Sequence, residues 1–214
     1  MLEVLVFDLD ETMYPRRSGL MQAISGRIGA YMIERMGMDP DIVPSLRRQY
    51  WEQYGTTSRG LQLLHGFDVA DYMHYVHDLP LGEYIQANPE LDGMLATLPQ
   101  EKVIFTNASA AHARAVLGAL GVAHHFARIS DAFFAGNHGK PAMRCYERLL
   151  GELRVPGEVC LMADDTLRNL RPAKSLGMVT VLVDPQPETD TDGVDYVVDA
   201  VVEVGRVVMA IEDG

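Results

Sequence analysis

The chain has 214 residues, 48% of them hydrophobic and 22% charged, and carries a net charge of −12. That composition suits a soluble globular protein with one large domain, or with a core and a smaller module. The negative balance argues against a broad basic face for a nucleic-acid polymer or an anionic membrane, so an anionic substrate would need a local metal ion or a placed Lys or Arg.

The first element is the apolar run Val4-Leu5-Val6-Phe7, which reads as a buried parallel strand and ends in Asp8-Leu9-Asp10. Residues two apart in an extended chain point to the same side, so Asp8 and Asp10 can face one ligand. The pattern alone is cheap: Asp39/Asp41 and Asp190/Asp192 repeat it in turn-like surroundings. Glu3 interrupts the N-terminal run and no basic region precedes it, so no signal peptide is expected. No stretch approaches the ~20 apolar residues of a membrane span. Cys145, in a helical pattern, and Cys160, in an apolar strand, read as buried reduced thiols of a cytoplasmic protein.

From about Ser18 to Leu79 the periodicity is helical. Leu20, Ile24, Ile28, Tyr31 and Met32 mark a first helix, and a second runs through Tyr50, Trp51 and Tyr54. Thr57 or Ser58 is placed to cap a short third helix, and a fourth spans about Val69 to His77. The spacing predicts a helical module at 15–88, inserted into a core formed by 1–14 and 89–214.

Alternating α and β signals follow. Lys102 to Asn107, Arg128 to Asp131, Val159 to Ala163, Val179 to Val183 and Tyr196 to Val198 read as strands. Helices are expected at Ala110 to Leu120, from Pro141 to about Leu150, up to Leu176, and near Val201 to Ile211. The fold class predicted is α/β: a doubly wound, mostly parallel sheet with helices on both faces and an inserted helical module.

Three strands end in chemically useful residues: Asp8 and Asp10, Thr106 and Asn107, Asp164 and Asp165. Lys140 follows a glycine-containing loop, and only three of the 18 basic residues are lysines. Carboxyl ends of parallel strands share one edge, where such sheets bind ligands. In phosphoryl transfer one Asp can attack phosphorus and the other can protonate the leaving oxygen, while a hydroxyl and an ammonium hold the equatorial oxygens. Four clustered carboxylates require a cation, and hard oxygen ligands beside a phosphate favour Mg²⁺.

The set Asp8-x-Asp10-x-Thr12, Thr106-Asn107, Lys140-Pro141 and Asp164-Asp165 resembles, in order and spacing, the four signature motifs of the haloacid-dehalogenase superfamily. The resemblance covers nearly the whole chain, and it implies that the helical module at 15–88 is a cap domain over the active site. It implies that Asp8 is a nucleophile forming an aspartyl phosphate, and that Asp10 is the general acid and base, its backbone carbonyl a metal ligand. It also implies that Thr106, Asn107 and Lys140 hold phosphate, and that Asp165 and Asp164 hold Mg²⁺. Relatives with an acidic residue four positions beyond Asp165 differ from this chain, which has Asn169 there.

A narrower likeness is to pyrimidine 5′-nucleotidases. It lies in Thr12-Met13-Tyr14-Pro15, Tyr54-Gly55-Thr56-Thr57, Gly60-Leu61, Asp71-Tyr72, His77, Thr106-Asn107-Ala108 with His112-Ala113, and Asp164 to Leu170. It implies a nucleoside monophosphate substrate, with Tyr14, Thr56, Thr57 and His77 as candidate substrate contacts. The bland readings are a cap hinge for Tyr14, a capped turn for the threonines and a helix cap for His77. Rival functions are a phosphatase for sugar phosphates or phosphoglycolate, and a non-catalytic phospho-aspartate or Mg²⁺-binding module. A monomer or homodimer with a small-molecule substrate is expected.

Overall fold

The computed structural model describes residues 1–136, 138–187, 191 and 193–213. Asp190 and Asp192 lie outside the described residues. Six strands form one parallel sheet: β1 (Val4–Phe7), β2 (Glu101–Phe105), β3 (Arg128–Ser130), β4 (Cys160–Asp164), β5 (Val179–Val183) and β6 (Tyr196–Val198). Their order is β3-β2-β1-β4-β5-β6. The chain winds outward from β1 to β3, then crosses to β4 on the other side of β1. The switch point therefore lies between β1 and β4, where the register sets Phe7 opposite Ala163 and brings Asp8 beside Asp164.

Alternation along the strands separates two apolar layers. Leu5, Phe7, Leu161, Ala163 and Val181 pack on one side against α5 (Pro89–Thr97), α6 (Ala110–Leu120) and α9 (Val204–Glu212). Val4, Val6, Val103, Phe105 and Met162 pack on the other against α7 (Met143–Leu153) and α8 (Leu167–Ser175). Both cysteines are buried and free, in α7 and β4.

Between β1 and α5 stand α1 (Leu20–Glu34), α2 (Val43–Tyr54), α3 (Thr57–His65) and α4 (Val69–His77). They share a cluster of their own around Tyr31, Met32, Tyr50, Leu61 and Tyr72. Tyr31 meets Tyr72 edge-on at 5.1 Å, an arrangement favoured by ring quadrupoles. The first half of α1 behaves differently: Leu20 and Ile24 join the sheet-side layer, together with Ile85. Met32 is buried in the helical cluster, with Met36 and Met38 packed against it. Among the described residues no helix is long and apolar enough to cross a membrane.

Two local expectations change. Thr56, rather than Thr57 or Ser58, caps α3 by accepting from the Arg59 N–H at 3.1 Å. Its extended backbone leaves the side chain free to fold over the first turn. Pro141 is not the first residue of a helix: it follows a cis peptide bond, and α7 starts at Met143.

Two glycines give opposite expectations for stability. A Cβ at Gly157, in the turn before β4, would lie 1.9 Å from the Leu176 carbonyl oxygen, so backbone must move. Gly26, exposed in α1, has open space where a Cβ would stand, with nothing within 4 Å. Gly157→Ala is expected to lose about 1–3 kcal/mol, and Gly26→Ala to gain about 0.5–1 kcal/mol from the Gly-to-Ala helix preference. Urea unfolding of both variants checks the pair; a Gly157→Ala protein as stable as the parent contradicts the packing described.

Candidate active site

Lys140 is the centre of the sheet edge. Its side chain is buried, and Nζ lies 2.7 Å from Asp8 Oδ1 and 2.6 Å from Asp164 Oδ2. Burial alone would lower its pKa, but Asp164 and Asp8 outweigh burial and raise it, so the ammonium is charged. Its backbone is pinned to the end of β2: the Lys140 N–H donates to Asn107 Oδ1 at 2.8 Å, and Asn107 Nδ2 donates to the Lys140 carbonyl at 3.0 Å. A Cβ at Gly139 would fall 2.4 Å from Asn107 Oδ1, so this approach requires glycine. Asn107 thus spends its amide on holding the lysine loop.

Three carboxylates, of Asp8, Asp164 and Asp165, can each place an oxygen within 4.8 Å of the others. Asp164 is fully buried and held from three sides: by Lys140, by the Thr166 N–H at 2.9 Å and by Asn169 Nδ2 at 3.0 Å. Asn169 therefore orients this carboxylate by donation, which an acid there could not do while ionised. Burial, then repulsion from Asp164 and Glu11, pushes Asp165 up to about 7. Asp8 is raised as well, by burial and by its carboxylate neighbours against the pull of Lys140. Thr12 ties the strands together, accepting from the Asp165 N–H at 3.0 Å and facing Asp8.

The Asp10 side chain lies apart from that cluster. Its Oδ1 accepts from the Tyr14 hydroxyl at 2.6 Å and lies 3.0 Å from His112 Nε2. Burial would raise Asp10, but these contacts with His112 and Tyr14 outweigh burial and lower it. Glu11 adopts a left-handed φ of 60°, a strained turn for a non-glycine residue, where the chain leaves the site. His77, at the end of α4, stacks on His112 with ring centroids 4.0 Å apart.

A cavity of about 440 Å³ opens between this edge and the four-helix module. Asp8, Asp10, Thr106, Asn107, Lys140 and Asp165 line its floor, and Thr56, Thr57 and His77 line it from the helices. Asp164 sits behind the floor. Tyr14 was expected as a substrate contact, but it is buried off the cavity wall because its hydroxyl is drawn to Asp10. Sequence reasoning gave no role of its own to His112, which sits in an ordinary apolar helix pattern 102 residues from its partner. It also missed Arg16, whose guanidinium joins Glu11 at 3.1 Å and Asp165 at 3.2 Å. The His124-His125 pair meets Asp92 at 3.2 and 2.8 Å, with the His125 ring largely buried.

A sequence profile described as haloacid dehalogenase-like hydrolase matches residues 2–177. The chain belongs to that family. Phosphate metabolism protein 8 of Saccharomyces cerevisiae is 26% identical over a 200-residue alignment that covers 84% of this chain. The chain spans 61% of that protein's length. Among solved structures, a 2-haloacid dehalogenase from Pseudomonas syringae matches with a TM-score of 0.66 and 16% identity, over 99% of this chain and 100% of that one. A haloacid-dehalogenase-type phosphatase from Thermococcus onnurineus matches with a TM-score of 0.64 and 17% identity, over 97% and 98%. These structures share the family fold with this protein, and their differing chemistries leave the reaction to be argued from the site.

Burial of the His77 ring, together with the neighbouring His112, lowers its pKa to about 4, against an ordinary value near 6.5. The unfolded chain therefore takes up this proton first as pH falls, so stability is lost from about pH 6.5 down to about 4. His77→Phe should flatten that part of the stability-versus-pH curve, and the imidazole resonances of His77 should titrate near 4. A His77 titrating near 6.5 would contradict the stacked, desolvated ring.

Proposed function

We propose that the protein is a Mg²⁺-dependent phosphomonoesterase for pyrimidine nucleoside 5′-monophosphates, working through an aspartyl phosphate on Asp8. The observation that carries this reading is the division of labour between two aspartates on one loop. Asp8 lies against the Lys140 ammonium at the cavity floor, and Asp10 is turned away to Tyr14 and His112. A dehalogenase needs a nucleophile but has no use for a second, separately held carboxylate with access to a proton.

In the first step Asp8 attacks phosphorus, and the bond from phosphorus to the ester oxygen breaks. The leaving oxygen takes a proton from Asp10, whose Oδ1 lies 3.0 Å from His112 Nε2. In the second step water attacks the aspartyl phosphate, Asp10 receives its proton, and inorganic phosphate leaves with Asp8 restored. The Lys140 ammonium and the Thr106 hydroxyl face the equatorial oxygens, where charge must be steadied throughout.

The donor set fits a hard divalent cation: three carboxylates converge, and burial with mutual repulsion raises Asp8 and Asp165. Asp8, Asp164, Asp165 and the Asp10 carbonyl would hold Mg²⁺. When bound, it supplies positive charge that keeps Asp8 ionised and neutralises the phosphoryl group. The nucleotide reading draws on the cap-side sequence likeness and on a cavity within the usual ~300–1,000 Å³ of ligand pockets, roomy for phosphoglycolate alone.

Phosphate release from UMP, CMP, dTMP, AMP, phosphoglycolate and sugar phosphates, with and without Mg²⁺, tests the proposal. Selective turnover of UMP and CMP is expected, abolished in Asp8→Asn and lowered by about 10²-fold or more in His112→Gln, the scale of a lost acid–base contribution. Turnover of sugar phosphates alone would overturn the substrate assignment. Full activity in Asp8→Asn would overturn the mechanism.

A further inference from the structure

The chemistry at the cavity floor does not use Arg47. This residue sits on α2 and reaches toward α1, where Nη2 donates to Ser25 Oγ at 2.6 Å. Both residues line the cavity from the helical side. Arg47 Nε is buried and has no hydrogen-bond partner among the described residues. The titratable group acting on the guanidinium is Tyr72, and among the described residues no carboxylate does so. In a chain with 30 acidic residues against 18 basic ones, a half-buried arginine without an acid is unusual. Unmet buried donors destabilise a fold, so this arrangement is not explained by stability.

The surroundings say what kind of acceptor fits. Ser25 already accepts from Arg47 through one guanidinium N–H, so its own O–H is left to donate, and the guanidinium carries donors only. Met21, Ile24 and Ile28 of α1, with Met73 and Val76 of α4, also line the cavity. The corner therefore combines apolar walls with two donors, the Arg47 guanidinium and the Ser25 hydroxyl, beside the Tyr72 hydroxyl. A flat heteroaromatic ring carrying a carbonyl suits the first feature by its faces and the second by its edge.

We propose that Arg47 and Ser25 form the base-reading subsite, donating to the 2-carbonyl oxygen of a pyrimidine. This deepens the nucleotidase reading and rests on it. Uracil and cytosine share the 2-carbonyl, whereas their 4-positions differ, one a carbonyl and the other an amine. A guanidinium, which only donates, accepts both bases at the 2-position and cannot accept both at the 4-position. Arg47 is thus a specificity residue that acts on substrate through the end remote from phosphorus.

The test compares kcat/KM for UMP and CMP with that for ribose 5-phosphate, which lacks the base. In Arg47→Met the ratio of nucleotide to ribose 5-phosphate should fall roughly 10- to 100-fold, the worth of a charge-assisted hydrogen bond. Ser25→Ala should move the ratio in the same direction by a smaller factor. A ligand-side measurement on the unaltered protein does not depend on any variant folding: 2-thio-UMP should react more slowly than UMP, and 4-thio-UMP should not. Turnover of UMP and CMP by the parent, with a ratio unmoved in both variants or with the penalty on 4-thio-UMP instead, overturns the subsite and leaves the nucleotidase reading standing. A parent inactive on UMP and CMP overturns both.

Discussion

The site depends on one buried ammonium held between two carboxylates. Lys140 joins Asp8, at the end of β1, to Asp164, at the end of β4, so the cation spans the switch point of the sheet. Without it, Asp8, Asp164 and Asp165 would crowd into a poorly solvated corner, where charges of one sign raise each other's pKa. Much of the local structure serves to place this one side chain. Gly139 admits Asn107, Asn107 grips the Lys140 backbone on both sides, and Gly55 lies against Pro141, where a Cβ would come within 2.9 Å of the ring.

That last contact also joins the helical module to the core. Arg168 of α8 donates to the Trp51 and Glu52 carbonyls at the end of α2, at 2.7 and 2.9 Å, and lies 5.0 Å above the Trp51 ring. Trp51 is thereby a docking residue on a half-exposed helix face. On the opposite flank the His77–His112 stack brings the end of α4 against the group that touches Asp10. The helices over the cavity are tied through His112 to Asp10 on one side and to the lysine loop on the other.

Strands, helices and their order were legible because each strand is a short apolar run bounded by polar residues and each helix keeps a period of about 3.6 residues. The doubly wound sheet follows from that alternation. Asp8, Thr106, Lys140 and Asp165 were legible for a related reason: a polar residue at the end of a buried strand, or just past a glycine loop, has few places to go except the sheet edge. What stayed hidden depends on distant partners. Asn107 stands at a strand end, where a phosphate contact is expected, yet its amide is occupied by a loop 33 residues away. Tyr14 and His112 converge on one oxygen of Asp10 from well-separated parts of the sequence, and no periodicity encodes that meeting. Arg47 looked like any charged residue on an amphipathic helix, because local spacing does not show a missing counter-charge.

The most direct measurement of the central claim is the stability of Lys140→Met at about pH 8, by urea unfolding with chelator and again with Mg²⁺. If Lys140 holds the carboxylates together, its removal strands buried negative charge and lowers stability by about 3–5 kcal/mol in chelator. Mg²⁺ should then restore part of that loss by occupying the freed carboxylates. A Lys140→Met protein within about 1 kcal/mol of the parent, and indifferent to Mg²⁺, would contradict the account.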